Sequence, residues 1–166
     1  ISTFYAPLTK EPAKWLVLLI PLVARALTPR AAVPIALATG LGFGLGEIGF
    51  LAEQITRIPS LAALPAWQFS GFFIERLLVC FAHGSFVLLA FRWLAEGRGF
   101  LPGALLGLAI HYLLNFPIYV AGLDVLPVPP EFWQTGIQLY LIAFAIGGGF
   151  LINHLVVEPR RPRAKG

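Results

Sequence analysis

The sequence predicts an all-α, polytopic transmembrane helical bundle with four to five spans and a polar intramembrane cavity. Of its 166 residues, 58% are apolar and 12% are charged, and the mean hydropathy is +0.81. Soluble domains carry about 25% charged residues. The apolar residues gather in stretches long enough to cross about 30 Å of hydrocarbon. We therefore expect residues 1–166 to form a single transmembrane domain.

Four apolar stretches have the length of a membrane-spanning helix, at about 1.5 Å per residue. They cover residues 31–52, 69–94, 100–122 and 132–157. A fifth apolar segment, 15–27, is shorter and contains Pro21 and Arg25. It fits a tilted span, a half-helix or the remnant of a longer helix, and the sequence leaves these alternatives open.

The basic residues predict the orientation of the chain. If the basic tail 158–166 is cytoplasmic, five spans place eight Lys and Arg residues inside and three outside. The eight are Arg25, Arg30, Arg92, Arg98, Arg160, Arg161, Arg163 and Lys165. The positive-inside rule therefore favours a cytoplasmic C-terminus. Because the cations flank apolar runs, the net charge of +4 does not indicate nucleic-acid binding.

Six polar residues lie within three consecutive predicted spans. They are Glu47, Glu75, Arg76, His83, His111 and Asn115. Ionisable groups at membrane depth cost a few kcal/mol or more unless they are paired or hydrated, and they mark functional interiors by default. This set is the candidate site.

Helix geometry indicates which of these residues face one cavity. His111 and Asn115 are four residues apart and share a helix face. Arg76 and His83 return to within roughly 20° of one face, whereas Glu75 lies about 80° away from it. Counted along the spans, Glu47, His83, His111 and Asn115 all fall between the midplane and the outer third. We expect these four side chains to converge.

Such a group has the chemistry of a hydrolase. A carboxylate shielded from water is a competent general base, an imidazole orients water or moves a proton, and an amide donates to a developing oxyanion. The sequence contains neither an evident Ser-His-Asp arrangement nor the H-E-x-x-H helix of zinc hydrolases.

Three motifs, in order on successive spans, resemble those of PrsW and YhfC-type intramembrane proteases. The run 40–47, GLGFGLGE, resembles their G-x-G-F-x-x-x-E motif. Glu75-Arg76 followed by His83 resembles the second motif. The run 109–116, AIHYLLNF, resembles the third, A-x-x-H-x-x-x-N-F, which CAAX prenyl endopeptidases and bacterial immunity-type homologues share. The doubled glutamate of the family, E-E-x-x-x-R or E-E-x-x-K, is missing at Glu47 and at Glu53.

The resemblance implies a role for each residue. Glu47 would be the base that activates water, His83 would hold and polarise that water, and His111 with Asn115 would stabilise the oxyanion. Arg76 would orient a carboxylate, either Glu47 or Glu75.

The resemblance also implies the setting of the reaction. The substrate would be a membrane protein or peptide, in the plasma membrane of a bacterium or archaeon. No cofactor is required. If a divalent metal is bound, we expect Glu47, His83 and His111 to be its ligands.

A second class of function stays open at this stage. Glu47 would then form a structural ion pair with Arg76, and the chain would be a non-catalytic, degenerate homologue within a larger membrane complex. In that case His83 and His111 would be hydrogen-bonding residues, proton carriers or axial ligands of a b-type haem.

Overall fold

The computed structural model describes residues 2–123 and 126–157, which form helices and turns with no strand among them. The α-helices are α1 (Ser2–Trp15), α2 (Pro21–Ala26), α3 (Ala32–Thr56), α4 (Pro59–Ala62), α5 (Ser70–Ala95), α6 (Phe100–Leu123) and α7 (Pro130–Val157). Short 3₁₀ turns cover Leu16–Leu19 and Ala66–Phe69. The all-α prediction is confirmed. The predicted tail, 158–166, lies outside the described residues.

Four helices are long and apolar enough to cross a membrane, so the chain is an integral membrane protein. They lie within Ala32–Thr56, Ala66–Ala95, Phe100–Leu123 and Glu131–Leu151. Helices α3, α5, α6 and α7 match the four long predicted spans, and their ends differ by four residues or fewer.

The segment 15–27, whose form the sequence leaves open, is not a continuous helix. Helix α1 ends at Trp15, a 3₁₀ turn follows, and the chain is extended at Ile20 before α2 begins at Pro21. Proline is tolerated in the first turn of a helix but disrupts its interior, so Pro21 favours a new start.

Helix α1 lies alongside α6 instead. The rings of Trp15 and Phe100 are 5.3 Å apart, and those of Phe4 and Tyr119 are 5.7 Å apart. Helix α1 is therefore antiparallel to α6, and a comparatively polar helix enters the bundle at the depth of the spans.

Helix α5 is the centre of the bundle, because its residues 83–91 are all buried. It packs closely against α3 through glycines. A Cβ atom added at Gly40 would lie 2.0 Å from the backbone nitrogen of Gly84, and one at Gly44 would lie 2.3 Å from Sγ of Cys80. Small residues let helix backbones approach this closely in membranes. Glu47, one turn beyond Gly44, is thereby held against α5.

The opposite side of α5 packs against α6 in the same way. A Cβ atom at Gly103 would lie 2.6 Å from the carbonyl oxygen of Leu89, and one at Gly107 would lie 1.9 Å from that of Phe86. His111 follows Gly107 by one turn on the same face. The two glycine contacts therefore present Glu47 and His111 to α5 from opposite sides.

One end of the bundle collects basic residues. Arg92, in the last turn of α5, donates hydrogen bonds to the carbonyl oxygen of Pro29 and to Glu96, and Arg98 lies over the ring of Trp93. These contacts bring the segment that precedes α3 to the same end of the bundle as the α5–α6 turn. Arg92 and Arg98 therefore lie on one side of the membrane, as in the predicted orientation.

Candidate functional site

Glu47 and His83 form the contact between α3 and α5 at the centre of the site. His83 Nε2 lies 3.0 Å from Oε2 of Glu47, and the imidazole is buried. His83 is 12 residues from the end of α5, or about 18 Å along the helix, which places it near the middle of the span. The other oxygen of Glu47, Oε1, accepts a hydrogen bond from Lys10.

Helix α1 contributes charged residues to the same place. Pro7, Glu11 and Lys14 lie on one face of α1 and are buried. Lys14 Nζ donates to Oε1 of Glu11 and lies 3.3 Å from Nδ1 of His83. Both side chains of the Glu11–Lys14 pair have an exposed fraction of 0%. This pair fills space between α3, α5 and α6, where the sequence predicts a polar cavity.

His111 joins the cluster from α6. Its Nδ1 lies 2.5 Å from Oε1 of Glu11, and its imidazole is buried. The rings of His83 and His111 meet edge to face with their centres 5.7 Å apart. His111 also stacks on Phe86 at 4.6 Å, so an aromatic ring from α5 closes this side of the cluster.

Six ionisable residues are linked into a chain by these contacts. In order they are Lys10, Glu47, His83, Lys14, Glu11 and His111. Hydrogen-bond roles follow from the charges. Because the Lys14 ammonium donates, His83 Nδ1 accepts, and His83 Nε2–H donates to Glu47. His111 donates from Nδ1–H to Glu11, so the two imidazoles have opposite neutral tautomers.

The cluster is electrically balanced but has an unsatisfied acceptor. Two carboxylates face two ammonium groups, so the charges cancel when both imidazoles are neutral. Oε2 of Glu11 is nonetheless buried with no hydrogen-bond partner among the described residues. A buried carboxylate oxygen without a partner is costly, and it is a place for a water molecule or substrate group to bind.

The other predicted site residues, Asn115, Glu75 and Arg76, are not among these six linked residues. Asn115, one turn beyond His111, lines a hollow of about 300 Å³ with Phe4, Tyr112 and Tyr119. Arg76 Nη2 lies 2.5 Å from Oε1 of its neighbour Glu75. The predicted orientation of a carboxylate by Arg76 therefore involves Glu75, while Glu47 pairs with Lys10 and His83.

The structure changes the set of residues suited to a metal ion. The atoms that lie together are from Glu11, His83 and His111, all within 4.8 Å of one another. Glu47 contacts the Nε2 side of the His83 ring and is not in this set. The space next to Glu11 and His83 contains the Lys14 ammonium group.

Sequence reasoning missed Lys10, Glu11 and Lys14. Their helix has low hydropathy, so it is not recognised as part of a membrane bundle. Lys10 and Lys14 are two of the three cations that the predicted orientation places on the outer side. The signal that could have found them is the E-x-x-K spacing of Glu11 and Lys14, which puts an acid and a base on one helix face.

No family model, curated protein or solved structure matches this chain.

Proposed function

We propose that this protein is an intramembrane endopeptidase that hydrolyses a peptide bond in or near the bilayer with glutamate-activated water. The observation that carries the proposal is the unsatisfied Oε2 of Glu11, buried among His83, His111 and Lys14. A desolvated carboxylate next to imidazoles and an ammonium group suits general-base attack of water on an acyl carbon.

In this proposal the two glutamates of the linked chain have different roles. Both oxygens of Glu47 are engaged, by Lys10 and by His83, so Glu47 orients the His83 imidazole. Glu11 has an oxygen available to water and therefore acts as the base. This assignment departs from the sequence prediction, in which Glu47 is the base. Glu11 takes a proton from water and passes it to the leaving amine.

Positive and neutral donors near Glu11 stabilise the oxyanion. Lys14 supplies a buried cation next to the base, and His111, whose Nδ1–H is donated to Oε1 of Glu11, holds that carboxylate in position. Asn115, one turn from His111, supplies an amide in the adjoining hollow, from which an apolar substrate would approach. Donors held in place before reaction are worth far more in a water-excluded site than in bulk water.

The resemblance to PrsW and YhfC-type proteases supports the same proposal. It covers Glu47, His83, His111 and Asn115. The first three belong to the chain of six linked residues. On this basis the partner is a membrane protein or peptide substrate, and the setting is a bacterial or archaeal plasma membrane. The basic end of the bundle favours a cytoplasmic C-terminus.

The test compares new protein N-termini in membranes that contain the wild type or one of three variants. Glu11→Gln removes the proposed base, Glu47→Gln removes the carboxylate behind His83, and Glu53→Gln changes an exposed residue. We expect the wild type and E53Q to generate the same new termini in or beside apolar segments. Cleavage should be at least about 100-fold slower in E11Q, because a general base typically accelerates a reaction by at least that factor.

Two results would contradict the proposal or its assignment. Identical termini from the wild type and a well-folded E11Q variant would exclude Glu11-dependent hydrolysis. Full loss in E47Q with retention in E11Q would return the role of base to Glu47. Circular dichroism and size-exclusion chromatography would establish that each variant is folded.

The alternative is a non-catalytic subunit that handles protons within a larger membrane complex. The linked chain of six ionisable residues favours it, because the exposed fraction falls from 30% at Lys10 to 0% at Lys14. Proton uptake by proteoliposomes, measured with an enclosed pH-sensitive dye, would distinguish it from hydrolysis. The haem alternative fits poorly, because both nitrogens of His83 are engaged and the two imidazoles are in edge-to-face contact.

A further inference from the structure

The buried cluster has the ligands of a metal site but contains an ammonium group. Glu11, His83 and His111 each offer one ligand atom, and these atoms all lie within 4.8 Å of one another. Two histidines and one glutamate, with a fourth position open, are a set found in catalytic zinc sites. The three residues come from α1, α5 and α6.

The surroundings of His83 also match those of a metal ligand. Histidines bound to metals usually donate their other ring N–H to a carboxylate, a backbone carbonyl or water, which fixes the tautomer and the ring orientation. His83 has this arrangement, because Nε2 is 3.0 Å from Oε2 of Glu47. Its Nδ1 lone pair therefore faces the interior of the cluster, where it lies 3.3 Å from Lys14 Nζ.

Lys14 is enclosed at this position. Its ammonium group contacts Glu11 and His83, and it lies 5.6 Å from the ring centre of Phe43 and 5.0 Å from that of Phe86. The side chain is fully buried. An ammonium ion and a metal ion each satisfy carboxylate and imidazole lone pairs, so the two compete for one position.

We propose that the ammonium group of Lys14 takes the place of a divalent metal ion, and that Glu11, His83 and His111 form a latent metal site. Ligand atoms of a tetrahedral zinc site are roughly 3.3 Å apart, given bond lengths of about 2.0 Å. Side-chain movements of about an ångström would bring the three ligands to this spacing once Lys14 is removed. The inference does not depend on whether the protein hydrolyses peptides.

The experiment is a titration of the purified, metal-free protein with Co²⁺, whose visible absorption reports tetrahedral coordination. The wild type should show no saturable tetrahedral spectrum. Lys14→Ala opens the centre of the cluster and should bind Co²⁺ at least about 100-fold more tightly than the wild type. Lys14→Met removes the charge but fills the space, so it should not gain binding.

A second substitution identifies the ligands. His111→Ala in the K14A background should abolish the spectrum, whereas Lys10→Ala in that background should leave it, because Lys10 contacts Glu47 and none of the three ligands. If K14A is too unstable for spectroscopy, thermal unfolding gives the same comparison, since a bound metal stabilises the folded state by mass action.

Two results would overturn the proposal. Tight, His111-dependent Co²⁺ binding by the wild type would show that Lys14 does not occupy the metal position. Absence of both the spectrum and thermal stabilisation in K14A would show that the three side chains are not a metal site.

Discussion

Nε2 of His83 lies 3.0 Å from Oε2 of Glu47, across the interface between α3 and α5. This contact depends on how closely the two helices approach one and two turns earlier, where Gly44 faces Cys80 and Gly40 faces Gly84. The glycines and the glutamate share one face of α3 at spacings of four and three residues. Packing and chemistry are therefore coupled along a single helix face.

Gly40→Ala tests this coupling. The added methyl group would lie 2.0 Å from the Gly84 nitrogen, so α3 must move away from α5. We expect a loss of about 1–3 kcal/mol in the free energy of unfolding, typical of overpacking, together with loss of the Glu47–His83 contact. Gly42→Ala is the matched control, because a Cβ there meets nothing within 4 Å. Unfolding in mixed detergent measures the free energy of unfolding of both variants. An equal loss of stability in G40A and G42A would contradict close packing of α3 against α5 at Gly40.

Gly107→Ala makes the corresponding test on α6. Its methyl group would lie 1.9 Å from the carbonyl oxygen of Phe86, one turn before His111. We expect destabilisation of about 1–3 kcal/mol and displacement of His111 from Glu11. Gly122→Ala on the same helix is the control, since nothing lies within 4 Å of its added Cβ. The chemical shifts of the His111 imidazole report its displacement in each variant. A shift change in G122A as large as that in G107A would show that the displacement does not come from the Gly107 contact.

The fold was predictable because hydropathy reports membrane spans directly. Helices α3, α5, α6 and α7 each carry an apolar stretch of sufficient length, and turn residues separate them. Helix α1 was not predictable in this way. Its inner face carries Glu11 and Lys14, whose burial is compensated by contacts with other helices. A window of hydropathy along one helix contains no information about such partners.

The candidate site was predictable in part for the same reason. Glu47, His83 and His111 are conspicuous because they interrupt apolar spans, and the structure places all three in one connected cluster. Arg76 and Glu75 interrupt a span equally, yet they pair with each other. Sequence spacing along one helix indicates a shared face, but it does not identify which residue on another helix is the partner.

The two imidazoles of the cluster should have opposite tautomers. His83 accepts at Nδ1 from Lys14 and should carry its proton on Nε2, whereas His111 should carry its proton on Nδ1, which faces Glu11. The ¹⁵N chemical shifts of selectively labelled histidine distinguish the two forms, and His83→Asn and His111→Asn assign the signals. The same tautomer at both residues would contradict the hydrogen-bond chain. His154, which is exposed, is the internal reference.

Loss of Lys14 alone should be more harmful than loss of the whole ion pair. Lys14→Met leaves the Glu11 carboxylate buried without its cation, and breaking a buried pair in this way costs about 3–5 kcal/mol. Adding Glu11→Gln removes the uncompensated charge, so K14M/E11Q should recover part of the loss, with a coupling energy of roughly 1–3 kcal/mol. The exposed Glu53–Arg57 pair, measured by the same double-mutant cycle, should give no more than about 0.5 kcal/mol. Additive effects of K14M and E11Q would show that the two charges do not compensate each other, because coupled buried charges cannot contribute independently to the free energy of unfolding.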